Sequence, residues 1–249
     1  MLRLFLSVDI AGSTAYKAKF AGAKDVGWLR VFESFFQIFP IVLIGQVAVE
    51  FFDEETLPTL RVWKVLGDEM IFTSEPASAR DMVLLLRALF NAMARYEAQH
   101  FGELRMQLKA AAWLARFPEP NIEIEIPEMS HGVTYIDYLG PDIDLGFRIC
   151  SFAQPSAIAV SVDLLEQLLS AEAVFDFYRG GDALLPGVNH DRPYPILWIR
   201  PAGRPFQLGD AAELYPKLTA ALAAGPTGAD ALRGLIASVR GGTEGNAND

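Results

Sequence analysis

Cysteine is almost missing from this 249-residue chain: Cys150 stands alone, so no internal disulfide can form. Only three histidines accompany it, which leaves too few ligands for a Cys/His zinc site. There is no run of Lys or Arg, and 21 basic against 31 acidic residues give a formal charge of −10. Duplex nucleic acid rewards a concentrated basic face, so it is excluded as an expected partner. Also lacking is the clean span of about 20 apolar residues that a membrane-crossing helix needs. The most apolar stretch, residues 35–49, contains Gln37, Pro40 and Gln46 and is expected to be a buried helix pair broken at the proline. Residues 2–8 are apolar but too short for an export signal, with Arg3 inside and Asp9 at the end. The expectation is a protein of the reducing cytoplasm with no membrane partner.

With 51% hydrophobic and 21% charged residues, the chain can bury a large core and is not disordered over most of its length. Its size suits one large domain with an appendage. Residues 2–8 read as a buried strand running into a polar turn whose Ser13 and Thr14 are good helix caps. Helices are expected over 14–22 and 25–47. A hairpin follows, with strands at 59–65 and 70–73 and a turn through Gly67 and Asp68. Ser78 and Asp81 resemble a capping box, and Met82, Leu85, Leu86, Leu89 and Met93 recur at helical spacing, so 78–100 reads as an amphipathic helix. Strands are expected at 104–117, 121–126, 157–161 and 196–199, with helices at 143–152 and 162–170. This order fits an α+β mixed sheet with helices packed on one face, a ferredoxin-like or palm-type arrangement, better than a doubly wound parallel sheet. Residues 1–205 form the main domain and 206–249 a helical appendage; 241–249 has the composition of a disordered tail.

Two carboxylates stand out by position. Asp9 ends a buried strand before a Gly-Ser-Thr helix start, and Asp68 lies at the tip of a hairpin apolar enough to pair beside that strand. Two acids at one end of adjacent strands can bind divalent cations, and a helix start beside them offers N–H donors to phosphate, the arrangement of a two-metal nucleotidyl-transfer site. Each motif taken singly is also ordinary, since Asp is common before helices and Gly-Asp is a common turn.

Three segments in order, Asp9-Ile10-Ala11-Gly12-Ser13-Thr14, Lys64-Val65-Leu66-Gly67-Asp68, and Asp137-Tyr138-Leu139-Gly140 with Ile143-Asp144-Leu145-Gly146-Phe147-Arg148, resemble the catalytic domain of class III nucleotidyl cyclases over about residues 1–175. The resemblance implies that Asp9 and Asp68, with the carbonyl of Ile10, hold two Mn²⁺ or Mg²⁺ ions per active site. It implies that Ile10, Ala11, Gly12, Ser13 and Thr14 hold the phosphates, that Lys64 and Asp137 read the base, and that Arg148 steadies charge on the α-phosphate. Asp144 occupies the place of an asparagine that orients the ribose, a departure from the pattern because a carboxylate has no N–H to donate.

A narrower resemblance accommodates Asp144. The strings Lys109-Ala110-Ala111-Ala112-Trp113-Leu114-Ala115 and Gly140-Pro141-Asp142-Ile143-Asp144-Leu145-Gly146-Phe147-Arg148 are similar to bacterial pyrimidine cyclases of the Pycsar antiphage systems. That implies a homodimer with shared active sites that makes cyclic UMP and pyrophosphate from UTP as a second messenger. Cytidylate or adenylate cyclase activity, and a non-catalytic nucleotide-binding dimer scaffold, are the alternatives. Chemically, a Lys donor and an Asp acceptor satisfy adenine, cytosine or uracil and exclude guanine more clearly than they separate the rest. Trp113 either shortens the base pocket towards a single ring or is a core residue.

Other signals carry less. Leu66-Gly67-Asp68-Glu69-Met70 is close to the diguanylate cyclase signature, but one glycine of that signature is missing. His100, His131 and His190 read as surface residues in loops. Lys109 and Arg105 either touch phosphates or are solvated.

Overall fold

The computed structural model describes residues 1–20, 29–102, 104, 106–127, 134–171, 174–188, 192–203 and 215–244. Its centre is β1 (Leu2–Ala11). Antiparallel partners flank it on both sides: β3 (Glu69–Ser74), the second arm of a hairpin with β2 (Leu60–Leu66), and β4 (Gln107–Arg116). β7 (Ile158–Val160) continues the sheet parallel to β4, and β9 (Pro193–Pro201) and β8 (Phe175–Leu184) complete it antiparallel, in the order β2-β3-β1-β4-β7-β9-β8. A separate hairpin pairs β5 (Ile122–Pro127) with β6 (Thr134–Leu139). The sheet is thus mixed and mainly antiparallel, as the sequence predicts.

Pleating sends alternate residues of β1 to opposite faces. Leu4, Leu6, Val8 and Ile10 enter the larger core cluster, whereas Phe5 belongs to the smaller one. Three helices cover the first face: α2 (Leu29–Glu50), α3 (Ala79–Tyr96) and α5 (Val162–Ser170). Serine N-caps start α3 and α5, Ser78 accepting from the Asp81 N–H and Ser161 from the Leu164 N–H. Two sequence expectations change here. α2 is one continuous helix with Pro40 inside it, not a broken pair. A mid-helix proline costs about 3 kcal/mol, but Phe35, Phe39, Leu43 and Val47 form one buried stripe on the sheet that a break would disrupt. And not all helices share a face: α4 (Pro141–Cys150) sits on the opposite side, over Phe5 and Trp113.

What lets α4 sit so close is Gly146. A Cβ there would lie 2.1 Å from the Trp113 ring. Trp113 is fully buried and stacked on Phe5 at 5.3 Å, so it is a core residue and does not line a base pocket. The same aromatic cluster seats the β5–β6 hairpin: Tyr138 packs edge-on against Phe5 and Trp63, and buried Arg3 donates to the Tyr138 hydroxyl (2.6 Å) and to Glu123 (2.7 Å).

Further along, α3 passes at Glu97–Phe101 into a wider, π-helical turn. His100 lies in that turn, stacked on Tyr96 at 4.4 Å, and so is not in a loop; His131, His190 and Arg105 lie outside the described residues. At the C-terminal side, α6 (Pro216–Ala224) and α7 (Ala229–Glu244) bury Leu218, Ala221, Leu232 and Ile236 in the larger core. α7 therefore extends into the stretch whose composition suggests a tail.

Two measurements check this packing. Gly146→Ala gains about 1 kcal/mol of helix propensity, but overpacking against a rigid buried indole costs about 1–3 kcal/mol or more. The urea midpoint should therefore fall; an unchanged midpoint would contradict the close seat of α4. The second concerns Glu97, whose carboxylate accepts the Leu108 N–H at 2.5 Å and so ties the π-helical turn to β4. Burial pushes its carboxyl up to about 7 from 4.5, the Leu108 bond opposing. Between those values the folded state holds the proton and the unfolded state has lost it, so stability should fall as pH rises from 4.5 to 7, by up to about 3 kcal/mol. Urea midpoints at pH 5 and 7.5 should converge in Glu97→Gln relative to wild type; an identical pH slope in both proteins would refute the assignment.

Candidate active site

Asp9 lies near the end of β1, on the face opposite α2 and α3, and its register partner on β3 is Glu69. The hairpin turn holds Asp68 directly beside that partner. Gly67 takes φ 65°, a conformation that favours glycine and lets two residues reverse the chain at this point. The paired strands thus place Asp68 one residue from the register partner of Asp9.

Lysines accompany both. Lys109, opposite Asp9 on β4, places Nζ 2.7 Å from Asp9 Oδ2, and Lys17 of α1 (Ser13–Lys19) reaches Asp68 at 3.4 Å. Burial works against the Lys109 charge, but the hydrogen bond and charge of Asp9, with Glu69 adding to it, outweigh burial and raise its pKa. Beneath Asp9, Glu69 accepts a 2.5 Å hydrogen bond from Ser7, and Cys150 closes this group from the end of α4. Burial raises the Glu69 carboxyl above its ordinary range and Asp9 adds to that, while Ser7 and Lys109 oppose. Burial likewise drives the Cys150 thiol upward, so it is no thiolate nucleophile. Tyr215, at the start of α6, lies near enough that both Lys109 and Asp9 act on its hydroxyl.

The polar turn after β1 is shorter than the sequence suggests. Ile10 and Ala11 belong to the strand and pair with Leu108 and Gln107, Gly12 is the N-cap, and Ser13 and Thr14 open α1. Because the helix begins at Ser13, neither hydroxyl occupies the cap position, and no side chain caps α1.

A second cluster lies on the same face. A β-bulge in β2 sets both Trp63 and Lys64 against Ile71, and such an irregularity re-aims side chains. Lys64 Nζ lies 2.8 Å from one oxygen of Asp137 and 3.0 Å from the other, while Trp63 Nε1 and the Tyr138 N–H donate to Oδ1 at 3.1 and 2.9 Å. The expected base-reading pair is therefore a real contact, and its carboxylate is fixed by donors from two elements. Asp144 and Arg148 are different. They lie one turn apart on the exposed face of α4, and neither makes an ion pair among the described residues.

Sequence reasoning did not find Glu69, Ser7, Lys17 or Trp63, and left Lys109 undecided. The i, i+2 spacing of Ser7 and Asp9 on one strand face was the available signal. Pairing Lys109 with Asp9 requires the register of β1 against β4, which no local pattern supplies.

Asp9, Asp68 and the Ile10 carbonyl, if they met at one ion, would be an oxygen-only donor set suited to hard cations. No group of three or more acidic, His or Cys side chains poised for a metal occurs among the described residues. A set this small fits an ion such as Mg²⁺ that completes its shell with water and substrate phosphate.

Comparison with solved structures agrees with this architecture. The fold is similar to adenylyl cyclase CyaB from P. aeruginosa, with TM-score 0.58 and 12% identity over 83% of this chain and 97% of that one. It is also similar to guanylyl cyclase Cya2 (TM-score 0.56, 14% identity, 83% and 95% covered). A third similar structure is the guanylate cyclase domain of RhGC from Catenaria anguillulae in complex with GTP (TM-score 0.56, 9% identity, 80% and 96% covered). No protein-family model and no curated protein matches the chain by sequence. The chain has the class III nucleotidyl cyclase fold.

If Asp9 and Asp68 hold a cation, Mn²⁺ is expected to raise the melting temperature of the purified protein. Asp9→Asn and Asp68→Asn should each diminish that shift, and Lys109→Met, by removing the ammonium that competes at Asp9, should enlarge it. Undiminished shifts in both Asn variants would place the cation elsewhere.

Proposed function

We propose that this chain is a nucleotidyl cyclase that converts a pyrimidine nucleoside triphosphate, UTP first, into its 3′,5′-cyclic monophosphate and pyrophosphate. The observation that carries this reading is the meeting of Asp9 and the Asp68 turn on adjacent strands of a cyclase fold, on the same face as the Lys64–Asp137 pair. In the reaction the ribose 3′-oxygen attacks the α-phosphorus and the bond to the β-phosphate breaks. Asp9, Asp68 and the Ile10 carbonyl would hold Mn²⁺ or Mg²⁺, two ions per site; such ions activate the attacking oxygen and offset charge on the triphosphate. With a chain charge of −10, that offset matters for binding a substrate of the same sign.

The remaining roles belong to side and main chains of this protein. Ile10, Ala11, Gly12, Ser13 and Thr14 line the phosphates, and Lys109 has a phosphate oxygen as its alternative partner when Asp9 is otherwise engaged. Lys64 and Asp137 present one donor and one acceptor to the base edge, which disfavours guanine. Arg148 supports the α-phosphate and Asp144 the ribose. Both are exposed on α4 and touch neither acid of their own chain, which supports a homodimer whose two copies complete each other's site. The likeness of residues 140–148 to pyrimidine cyclases favours UTP over CTP and ATP, and supports a cytoplasmic second-messenger role in antiphage defence. On this reading 1–205 is the catalytic domain and 206–249 its appendage.

Incubating the full-length protein with each ribonucleoside triphosphate and Mn²⁺, followed by chromatography, tests the proposal. UTP should yield cyclic UMP, GTP should yield least, and Asp68→Ala should lower the rate at least about a hundredfold with the fold intact. No cyclic product from any of the four would favour a nucleotide-binding scaffold, and product chiefly from ATP would refute the pyrimidine assignment.

A further inference from the structure

α2 is apolar on two faces. Its inner stripe, including Phe35, Phe39 and Leu43, is buried on the sheet. Its outer stripe from Ile41 onward is Ile41, Ile44, Gly45, Ala48 and Val49, continued by Phe52 in the next turn, and every one of these positions is exposed. Ile41 is 69% exposed, Val49 65% and Phe52 85%. The spacing of three and four puts all six on one side of the helix, directly away from the core. No polar side chain occupies an exposed position between residues 41 and 52. Single exposed apolar residues are normal; a contiguous stripe signals an interaction site.

We propose that this stripe docks a second copy of the chain, helix against helix and antiparallel, about a twofold axis between Gly45 and Ala48. Around that axis residue 45 faces 48, 44 faces 49 and 41 faces 52. Small residues meet at the centre, where backbones must come close, and large ones meet at both ends, so the stripe complements itself. The centre is open: a Cβ on Gly45 would meet no atom within 4 Å. Charge selects the orientation. Asp53 and Glu55 follow the stripe, Glu54 between them being paired with Arg80; a parallel pair sets these acids side by side, whereas an antiparallel pair sets them beside the apolar end of the partner near Pro40.

Complete burial of the exposed parts of Ile41, Ile44, Val49 and Phe52 would remove roughly 500 Å² per copy, about 1,000 Å² for the pair, the size of a weak self-association before flanking contacts are added. A lipid surface suits the stripe less well. The acidic cluster repels anionic headgroups, the stripe is only ~17 Å long, and the helix's other side is fixed in the core, so α2 cannot enter a bilayer without unfolding the domain. The contact leaves the candidate active site free: Phe39 of α2 packs on Phe72 on the face opposite Asp9.

Sedimentation velocity on the full-length chain tests the proposal. With the shared-site pairing of the proposed function present in both proteins, Ile44→Asp should sediment no larger than a dimer while wild type at the same concentration forms a tetramer or larger, with the α2 association moved to at least about tenfold higher concentration and the far-UV circular dichroism unchanged. For orientation, a mixture of Ile41→Cys and Phe52→Cys chains should cross-link with a short bis-maleimide far more than either variant alone; wild type, whose Cys150 is half-buried, sets the background. Equal masses for wild type and Ile44→Asp would overturn the docking of a second copy. Flotation of wild type but not Ile44→Asp with phosphatidylcholine vesicles, with no change in mass, would assign the stripe to lipid instead. Equal cross-linking by each variant alone would overturn the antiparallel pairing.

Discussion

The pleat of β1, held between β3 and β4, sets the two sides of this molecule. Because that strand is paired along both edges, its even and odd residues are committed to opposite faces, and a slip of one residue would exchange them. Leu4, Leu6, Val8 and Ile10 give α2, α3 and α5 a surface to pack on. Arg3, Phe5, Ser7 and Asp9 supply the other face in sequence: an anchor for the β5–β6 hairpin, an aromatic floor for α4, a hydrogen bond to Glu69, and the acid of the candidate site. Chemistry and core are thus specified by alternate positions of a single ten-residue strand.

The site face holds its charges in opposed pairs. Asp9 with Lys109, Asp68 with Lys17, and Asp137 with Lys64 each join an acid to a lysine, although the chain as a whole is strongly acidic. Half-buried carboxylates near one another repel, and the raised pKa of Glu69, where burial and Asp9 act together, shows how crowded that end of the sheet is. Local lysines relieve that repulsion and keep the acids oriented.

Much of this was legible in the sequence, and the failures share a cause. The β1 strand, the Gly67–Asp68 hairpin, the Ser78 cap and the helix at 162–170 follow from periodicity and local turn chemistry, and the structure has them. The Lys64–Asp137 contact came from resemblance and is present. What was missed depends on contacts distant in sequence. Helix α2 survives Pro40 because of the sheet beneath it, and α4 takes the opposite face because Gly146 fits over Trp113. β8 went unread because Gly180 and Gly181 interrupt its pattern; there the strand bulges and Gly180 lies against the Trp198 ring. Trp63 and Lys109 acquire their roles only through a bulge and a cross-strand register.

On the proposed function the acids of one copy work with the arginine of another: Arg148 and Asp144 are exposed on α4, and among the described residues no ion pair joins Arg148 to Asp9 or Asp68. Mixing inactive Asp68→Ala protein with inactive Arg148→Ala protein, both carrying Ile44→Asp so that the α2 contact does not join them, tests it most directly. Random subunit exchange should yield mixed dimers with one intact site and return about a quarter of wild-type activity. If a tag pull-down confirms mixed dimers and no activity returns, each chain builds its site alone and the shared-site account is wrong.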